Sequence, residues 1–238
     1  MCGRYVSPEE AAIARAFRLA ARANPLARRF NVCPTDTVPF VRARADSGEP
    51  EIASGRWGLV PHWWKEAKPP RASFNARVEE AASKPMWRDA LARSRCLVPA
   101  EGWYEWGPAE RTDPATGEIV AAKQPRYIRR ADGALACFAG LAAYRKDPKT
   151  GDALRSCAIL TGPASGALAR IHERTPLVLP ESAYGAWLDR GLDDPAAAAD
   201  IAARRLPPEA FAHWPVRLLV NDAGRDGPEL IEPLASAA

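Results

Sequence analysis

Short runs of apolar or alternating residues recur along this chain, and each run has the length of a β-strand. Glycine, proline or aspartate turns separate the runs, and helical segments rarely stand between them in the βαβ manner. We therefore expect an α+β fold, with mainly antiparallel strands curled towards a barrel and helices at its periphery. The predicted strands read TVPFVRA, IASGRWGLV, RCLVPAEGWYEW, PRYIRR, LACFAGLAAY and LRSCAIL.

The N-terminal segment combines a strand signal with a helix signal. CGRYV predicts a short strand that would order the start of the chain. The sequence Ser7-Pro8-Glu9-Glu10 is typical of a capping box with proline in the first helical turn, so a helix is expected from Pro8 to about Leu19. Further helices are predicted at VEEAASKPMWRDALARS, ASGALARI, ESAYGAWLDR and PAAAADIAARRL.

Length and composition favour one domain in a soluble compartment. The 238 residues, 47% of them hydrophobic, can bury a single large core. We expect one domain over residues 1–238, with its core at about 2–233. The stretch from Pro108 to Gln124 is expected to be a surface loop between strands. No run of about 18 apolar residues exists, and MCGRYVSPEE lacks the apolar centre of a secretory signal, so we expect a cytoplasmic protein with no membrane partner.

Charge permits a nucleic-acid partner without establishing one. The net charge is +4, from 33 basic against 29 acidic residues. Arginine greatly outnumbers lysine, and a guanidinium both forks onto phosphate and stacks on bases. A GC-rich coding sequence would explain the same bias.

The five cysteines form neither a C-x-x-C pair nor a zinc-finger spacing with a histidine. We therefore expect no disulfide, no metal site and no cofactor. Cys96, Cys137 and Cys157 stand in apolar contexts and are expected to be small buried hydrophobic residues.

Cys2 is the residue with the most specific chemistry. Its small side chain would let an aminopeptidase remove Met1, which leaves a free α-amine beside the thiol. With pKa values of about 7.7 and 8.5, this pair can trap an aldehyde as a Schiff base and then close to a thiazolidine. The ring-opened sugar of an abasic site is the aldehyde that suits a nucleic-acid context. The alternative is a buried strand cysteine that follows a retained Met1.

Glu105 is the second candidate, because it lies among Trp103, Tyr104 and Trp106. A carboxyl that loses hydration against aromatic faces has a raised pKa and can pass protons near neutral pH. It could protonate the sugar ring oxygen and so open the closed form. The alternative is a surface residue on the polar face of a strand.

Three further motifs carry candidate side chains. Asn75 offers a donor and an acceptor, and Arg77 offers a phosphate fork, although an asparagine capping the following helix is the simpler interpretation. His172 stands beside Arg174 and could act as an acid or base, or could be a structural histidine. Flat surfaces for base stacking are offered by Trp57, Trp63 and Trp64, although tryptophans more often fill cores.

Together these motifs resemble the SRAP family, the SOS-response-associated peptidase-like, abasic-site processing proteins. The resemblance extends from Cys2 to about Pro233. It is carried by MCGR, NVCPT, GRWGLVPHWW, FNARVE, CLVPAEGWYEW, IHERTPLVL and VNDAGRDGPELIEP.

The resemblance implies a protein that crosslinks abasic sites in single-stranded DNA through Schiff-base chemistry of the lyase type, in a nucleoid-associated location. It implies that Cys2 is the nucleophile, Asn75 binds the linkage, Glu105 is the acid-base group and His172 assists the Schiff base. Autoproteolytic removal of Met1 is implied by the family name. The expected DNA contacts are Arg4, Arg77, Arg174, Trp63, Trp64 and Trp106.

Two departures from the family pattern concern Thr175, where methionine is frequent, and the long stretch from Pro108 to Gln124. They affect only the expected shape of the DNA groove. We expect a monomer, and replication-fork partners stay undetermined. The alternatives are a peptidase that cleaves in trans through Cys2 or Glu105, and a non-covalent single-strand binder.

Overall fold

The computed structural model describes residues 2–20, 22–66, 69–146 and 151–234. Within these ranges the chain forms two sheets with short helices around them, which confirms the α+β fold. The strands are β1 (Arg4–Ser7), β2 (Arg29–Val32), β3 (Thr37–Ala43), β4 (Pro50–Trp57), β5 (Asn75–Arg77), β6 (Arg95–Ala100), β7 (Gly102–Thr112), β8 (Ile119–Arg130), β9 (Ala136–Lys146), β10 (Ala153–Pro163), β11 (Arg174–Pro176) and β12 (Phe211–Pro215). The α-helices are α1 (Glu10–Phe17), α2 (Val78–Ala81), α3 (Arg88–Arg93), α4 (Gly166–Ala169), α5 (Tyr184–Leu188) and α6 (Pro195–Ala203).

The first sheet closes on itself as a barrel. Strands β10, β4, β3, β6 and β9 each pair with the next, and β9 pairs back with β10. Only the pairing of β10 with β4 is parallel within this ring. β5 and β11 extend the ring along the far half of β10. The predicted barrel is therefore confirmed.

The second sheet holds the N-terminus. Its order is β12-β8-β7-β1-β2, and every neighbouring pair is antiparallel. Since β1 lies between two partners, the start of the chain is ordered, as CGRYV predicts. In the register of β1 with β7, Arg4 faces Tyr104 and Tyr5 faces Trp103.

Aromatic side chains fill the space between barrel and sheet. The rings of Tyr5 and Trp57 meet edge to face with centroids 5.2 Å apart, and those of Trp103 and Phe138 do so at 5.7 Å. Trp57 is fully buried, and its indole N–H donates to the carbonyl of Phe74 at 2.9 Å. The prediction that Trp57 stacks on DNA bases is therefore wrong.

The predicted capping box does not form. Helix α1 begins at Glu10 with Glu9 as its N-cap, and no side chain caps it. Ser7 ends strand β1 instead, and its hydroxyl donates to the carbonyl of Pro8 at 3.4 Å. Pairing of β1 with β2, in which Ser7 faces Arg29, takes the serine away from the helix end, which the local pattern could not reveal.

The stretch from Pro108 to Gln124 is a β-hairpin, so the prediction of a loop is wrong. Strands β7 and β8 stay paired as far as Thr112 and Ile119. TDPATGE supplies only the turn, in which Asp113 accepts a bond from the backbone N–H of Ala115 at 2.8 Å. Polar side chains suit this arm because it projects with both faces near solvent.

Two predicted elements are divided. The run RCLVPAEGWYEW splits at Glu101, so that β6 belongs to the barrel and β7 to the second sheet. The helix predicted after Arg77 breaks into α2 and α3, with Pro85 between them. The expected burial of Cys96, Cys137 and Cys157 is confirmed. Over the described ranges, no helix is both long and apolar enough to span a membrane.

Candidate active site

Cys2 lies at the centre of the candidate site, immediately before β1. Its side chain is fully buried, and its Sγ is 4.0 Å from the carbonyl oxygen of Arg4. Its own carbonyl accepts a hydrogen bond from Nδ2 of Asn75 at 2.7 Å. The structure thus brings together two of the residues predicted from separate motifs.

Asn75 is held on β5, which pairs in parallel with β10 so that Asn75 faces Ile159. It does not cap α2, because Arg77 is the N-cap residue and no side chain caps that helix. The side chain is buried, and Oδ1 has no hydrogen-bond partner among the described residues. An unpaired buried acceptor is costly, so Asn75 has a bond to offer a ligand beside Cys2.

Glu105 lies on β7 with only 2% of its surface exposed. The alternative of a polar surface residue is therefore wrong. Burial raises the pKa of Glu105 to about 7, with the ammonium of Lys123 on β8 as a smaller, opposing influence. Burial raises the pKa of the Cys2 thiol well above its ordinary value, and the negative charge of Glu105 adds to that rise. Glu105 can therefore exchange a proton near neutral pH within electrostatic reach of Cys2.

His172 follows α4 and is half-buried. Its Nδ1 accepts the backbone N–H of Arg174 at 2.9 Å, so a neutral ring carries its proton on Nε2. Burial lowers the pKa of His172 below 6.5, which favours that neutral form. The His172 segment runs beside β7, because a Cβ at Gly107 would lie 3.4 Å from Cα of Ile171.

A family model described as SOS response associated peptidase (SRAP) matches residues 1–223. The chain belongs to the SRAP family. It is similar to the abasic site processing protein YoqW of Bacillus subtilis (strain 168), with 32% identity over 206 residues and 85% of each chain covered. It is 30% identical over 244 residues to the abasic site processing protein YedK of Escherichia coli (strain K12), covering 98% of this chain and 100% of that one.

Solved structures share the fold. A crystal structure of a protein from Bacteroides thetaiotaomicron aligns with a TM-score of 0.78 over 99% of this chain and 100% of that chain, at 21% identity. The closed barrel with its added sheet is therefore a fold that this chain shares with that protein.

Arg174 is engaged by other side chains of this SRAP domain. Its guanidinium donates to both carboxylate oxygens of Glu79, at 3.0 and 2.9 Å, and to the carbonyl of Thr161 at 2.7 Å. This bidentate pair ties β11 to the helix that follows Asn75. The backbone N–H of Arg174 also bonds His172, so Arg174 connects the His172 segment to the helix that follows Asn75. Its contact with phosphate stays a prediction, because this geometry favours a positioning role.

Replacing Glu79 with glutamine should weaken that link. Arg174 is buried but the Glu79 side chain is 43% exposed, so we expect a loss of about 1–2 kcal/mol after allowing for solvent screening. The hydrogen bonds from Arg174 hold the pKa of Glu79 below its ordinary value of 4.5, so this stabilisation is present above that pH and is lost as the pH falls below it.

Denaturant unfolding of Glu79→Gln and wild type at pH 7 and below pH 4 would measure this loss. Glu80→Gln is the matched control, since Glu80 lies on the same helix and pairs with the exposed Lys84. A deficit that is as large at the lower pH as at pH 7 would contradict a role for the ionised Glu79 carboxylate.

Arg4 has neutral partners, in contrast to Arg174. Its Nη1 donates to Oδ1 of Asn31 at 2.8 Å and to the carbonyl of Val220 at 2.7 Å. Asn31 is held in turn by the C-terminal segment, where Asp226 accepts its backbone N–H at 3.1 Å. The charge of Arg4 is therefore oriented without being neutralised by these partners, which suits a phosphate contact.

The remaining predicted DNA contacts lie at or near the surface. Arg77 is exposed, two residues from Asn75. Trp63 is 40% exposed, and its ring centroid lies 6.0 Å from that of the half-buried Trp64. Trp106 is half-buried, and its indole N–H donates to Oδ1 of Asn221 at 2.8 Å. These side chains can present aromatic faces and positive charge to a DNA strand.

Proposed function

We propose that this SRAP protein captures abasic sites in single-stranded DNA as a covalent thiazolidine at Cys2, after removal of Met1. The observation that carries the proposal is the buried Glu105 carboxyl, with its pKa at about 7, acting on a cysteine whose main chain Asn75 holds. The relatives named abasic site processing proteins supply the substrate class.

The order of bond formation follows from the acidity of the two nucleophiles. Burial keeps the Cys2 thiol protonated, whereas a terminal α-amine has a pKa of about 7.7 and is partly neutral at pH 7. The amine therefore attacks the C1 aldehyde first, giving an imine and releasing one water. The thiol then adds to the imine carbon, and its proton passes to the nitrogen to complete the five-membered ring.

The surrounding groups take distinct parts in this sequence. Glu105 delivers a proton to the ring oxygen of the closed sugar, which opens it to the reactive aldehyde. The unpaired Oδ1 of Asn75 accepts a hydrogen bond from the linkage. Neutral His172, which holds its proton on Nε2, assists imine formation and closure.

Removal of Met1 creates the reacting amine, so adduct formation should be confined to the processed chain. An aminopeptidase, or a peptidase activity of the protein itself as the family description suggests, would perform this step. The test is to incubate purified protein with single-stranded DNA that bears one abasic site, and to measure the intact mass. The proposal predicts one DNA added to the Met1-free chain with loss of one water. Adducts on the Met1-retaining chain, or DNA released wholly by boiling in detergent, would overturn it.

A phosphate contact by Arg77 can be detected in the salt dependence of DNA binding. The logarithm of the affinity for single strands falls with the logarithm of salt concentration by about 0.7 for each phosphate contact. Arg77→Ala should flatten this slope by roughly one contact and weaken binding alike across sequences.

Arg15→Ala is the control, since Arg15 is also exposed and pairs only at the surface with Glu9. Titrating both variants and wild type with undamaged single strands over a range of salt concentrations separates local contact from overall charge. If Arg77→Ala and Arg15→Ala give the same slope, Arg77 does not grip phosphate.

A further inference from the structure

A second cluster of positive charge lies on the barrel away from the candidate active site. A cavity of about 50 Å³ opens between β3, β6, β9 and β10. It has no acidic side chain in its lining, whereas it has five arginines: Arg42, Arg93, Arg95, Arg155 and Arg190.

Three of these arginines are available for a ligand. Arg93, Arg155 and Arg190 are exposed, and none of their guanidinium groups has a hydrogen bond or ion pair with a described residue. Like charges gathered around one cavity repel each other, so an anion between them would be stabilised.

The other two arginines form the fixed wall of the cavity. Arg95 is buried, and its guanidinium donates to neutral backbone carbonyls, including that of Trp187 at 2.7 Å. Arg42 pairs with Glu51 at 2.7 Å, but its Nε is buried without a hydrogen-bond partner among the described residues. An anion would therefore meet positive charge held by the protein as well as exposed arginine side chains.

An aromatic groove continues from this cavity. It has a volume of about 560 Å³ and shares Arg93 and Tyr144 with the cavity. Trp63 also lines it, and both rings are exposed, by 40% for Trp63 and 46% for Tyr144. Exposed aromatic faces beside clustered arginines are the pattern that binds a base next to its phosphate.

We propose that the five-arginine cavity and the adjoining groove bind a nucleotide unit, with its phosphate in the cavity and its base against Trp63 or Tyr144. The site is distinct from the one around Cys2. Asn75, which bonds the main chain of Cys2, faces Ile159 on β10. Arg155 lines the cavity and lies four residues from Ile159 along that strand, which corresponds to roughly 13 Å.

The phosphate has two possible sources, and they give different results. A free nucleotide would bind regardless of any chemistry at Cys2. A nucleotide within a strand that also occupies the Cys2 site would extend the DNA path, and that form of the inference rests on the proposed function.

The test compares wild type with Arg93→Ala/Arg155→Ala, in which two exposed arginines are removed. Calorimetry with deoxyadenosine monophosphate, and with deoxyadenosine as the ligand lacking phosphate, probes the free nucleotide. Undamaged single-stranded oligonucleotides, one short and one long enough to reach both sites, probe the strand. Arg15→Ala/Arg111→Ala is the control, since it removes two exposed arginines elsewhere.

We expect the double variant to bind the monophosphate at least about tenfold more weakly, or to lose the affinity gained by the longer strand, with the control unchanged. The first result identifies a free nucleotide site and the second identifies a DNA path. The inference would be overturned if wild type, the double variant and the control bound the monophosphate and the longer strand equally well. Binding by wild type that does not depend on the phosphate would overturn it as well. Adduct formation on an additional short strand that bears one abasic site reports separately on the proposed function.

Discussion

Cys2→Ala is expected to abolish the heat-stable DNA adduct while leaving a Schiff base that borohydride can trap. The substituted chain still exposes an α-amine once Met1 is removed, so imine formation can proceed. Without a thiol the imine cannot close to a thiazolidine, and imines hydrolyse on heating in water. Cys2→Ser should behave similarly, since an oxazolidine is labile. Detergent gels of boiled samples, with and without borohydride, measure both species.

Cys33→Ala is the matched control for this experiment. Cys33 is a half-buried cysteine, with its Sγ 3.4 Å from the carbonyl of Asn31. Its substitution should leave the heat-stable adduct intact. Unfolding midpoints of both variants check that the buried Cys2 side chain is not needed for folding. A heat-stable adduct of normal yield from Cys2→Ala would refute the thiazolidine.

The longer barrel strands were predictable because they bury apolar side chains, whereas the short strands β2, β5, β11 and β12 were not predicted. TVPFVRA matches β3 residue for residue, and its apolar side chains are buried on both faces of the strand, in two separate clusters. The pattern could not reveal how the strands are shared between two sheets. RCLVPAEGWYEW reads as one run, yet it changes sheet at Glu101, where the close approach of Gly102 to Ile128 admits no side chain. The distribution of strands depends on contacts between residues far apart in sequence.

The candidate site residues were singled out by their chemical types and by the family resemblance, whereas the residues that position them were not. A thiol, an amide, a carboxyl and an imidazole each have characteristic reactions or hydrogen bonds that the residue type alone indicates. Glu79 and Asn31 lie within the motifs FNARVE and NVCPT, but an acidic residue at a helix start or an asparagine in a turn has many ordinary uses. Only the fold shows that Glu79 engages Arg174 and that Asn31 engages Arg4.

Glu105→Gln is expected to slow crosslinking by about 10² to 10⁴-fold at saturating DNA, with little change in DNA affinity. Glutamine keeps the shape and hydrogen-bonding atoms of the side chain but cannot deliver a proton. The effect should therefore appear in the rate, in contrast to Arg77→Ala, which should appear in binding and salt dependence. Glu110→Gln, on the exposed part of the same strand, is the matched control.

The pH dependence of the crosslinking rate tests whether Glu105 acts as an acid. Burial raises the pKa of Glu105 to about 7, so the carboxyl is a competent acid below that pH and loses its proton above it. The α-amine becomes nucleophilic as the pH rises towards about 7.7. Wild type should therefore show a maximum near neutral pH, with a decline on the alkaline side. Glu105→Gln should lack that alkaline decline.

A substrate locked in the open aldehyde form separates ring opening from the later steps. If Glu105 protonates the sugar ring oxygen, the open-chain substrate bypasses its step, and Glu105→Gln should react with it at close to the wild-type rate. Single-turnover rates of both proteins on closed and open substrates measure this rescue. If the open form reacts just as slowly with Glu105→Gln, the carboxyl acts after the imine has formed. Ring opening would then fall to another group, and His172, with its proton on Nε2, would be the first residue to substitute.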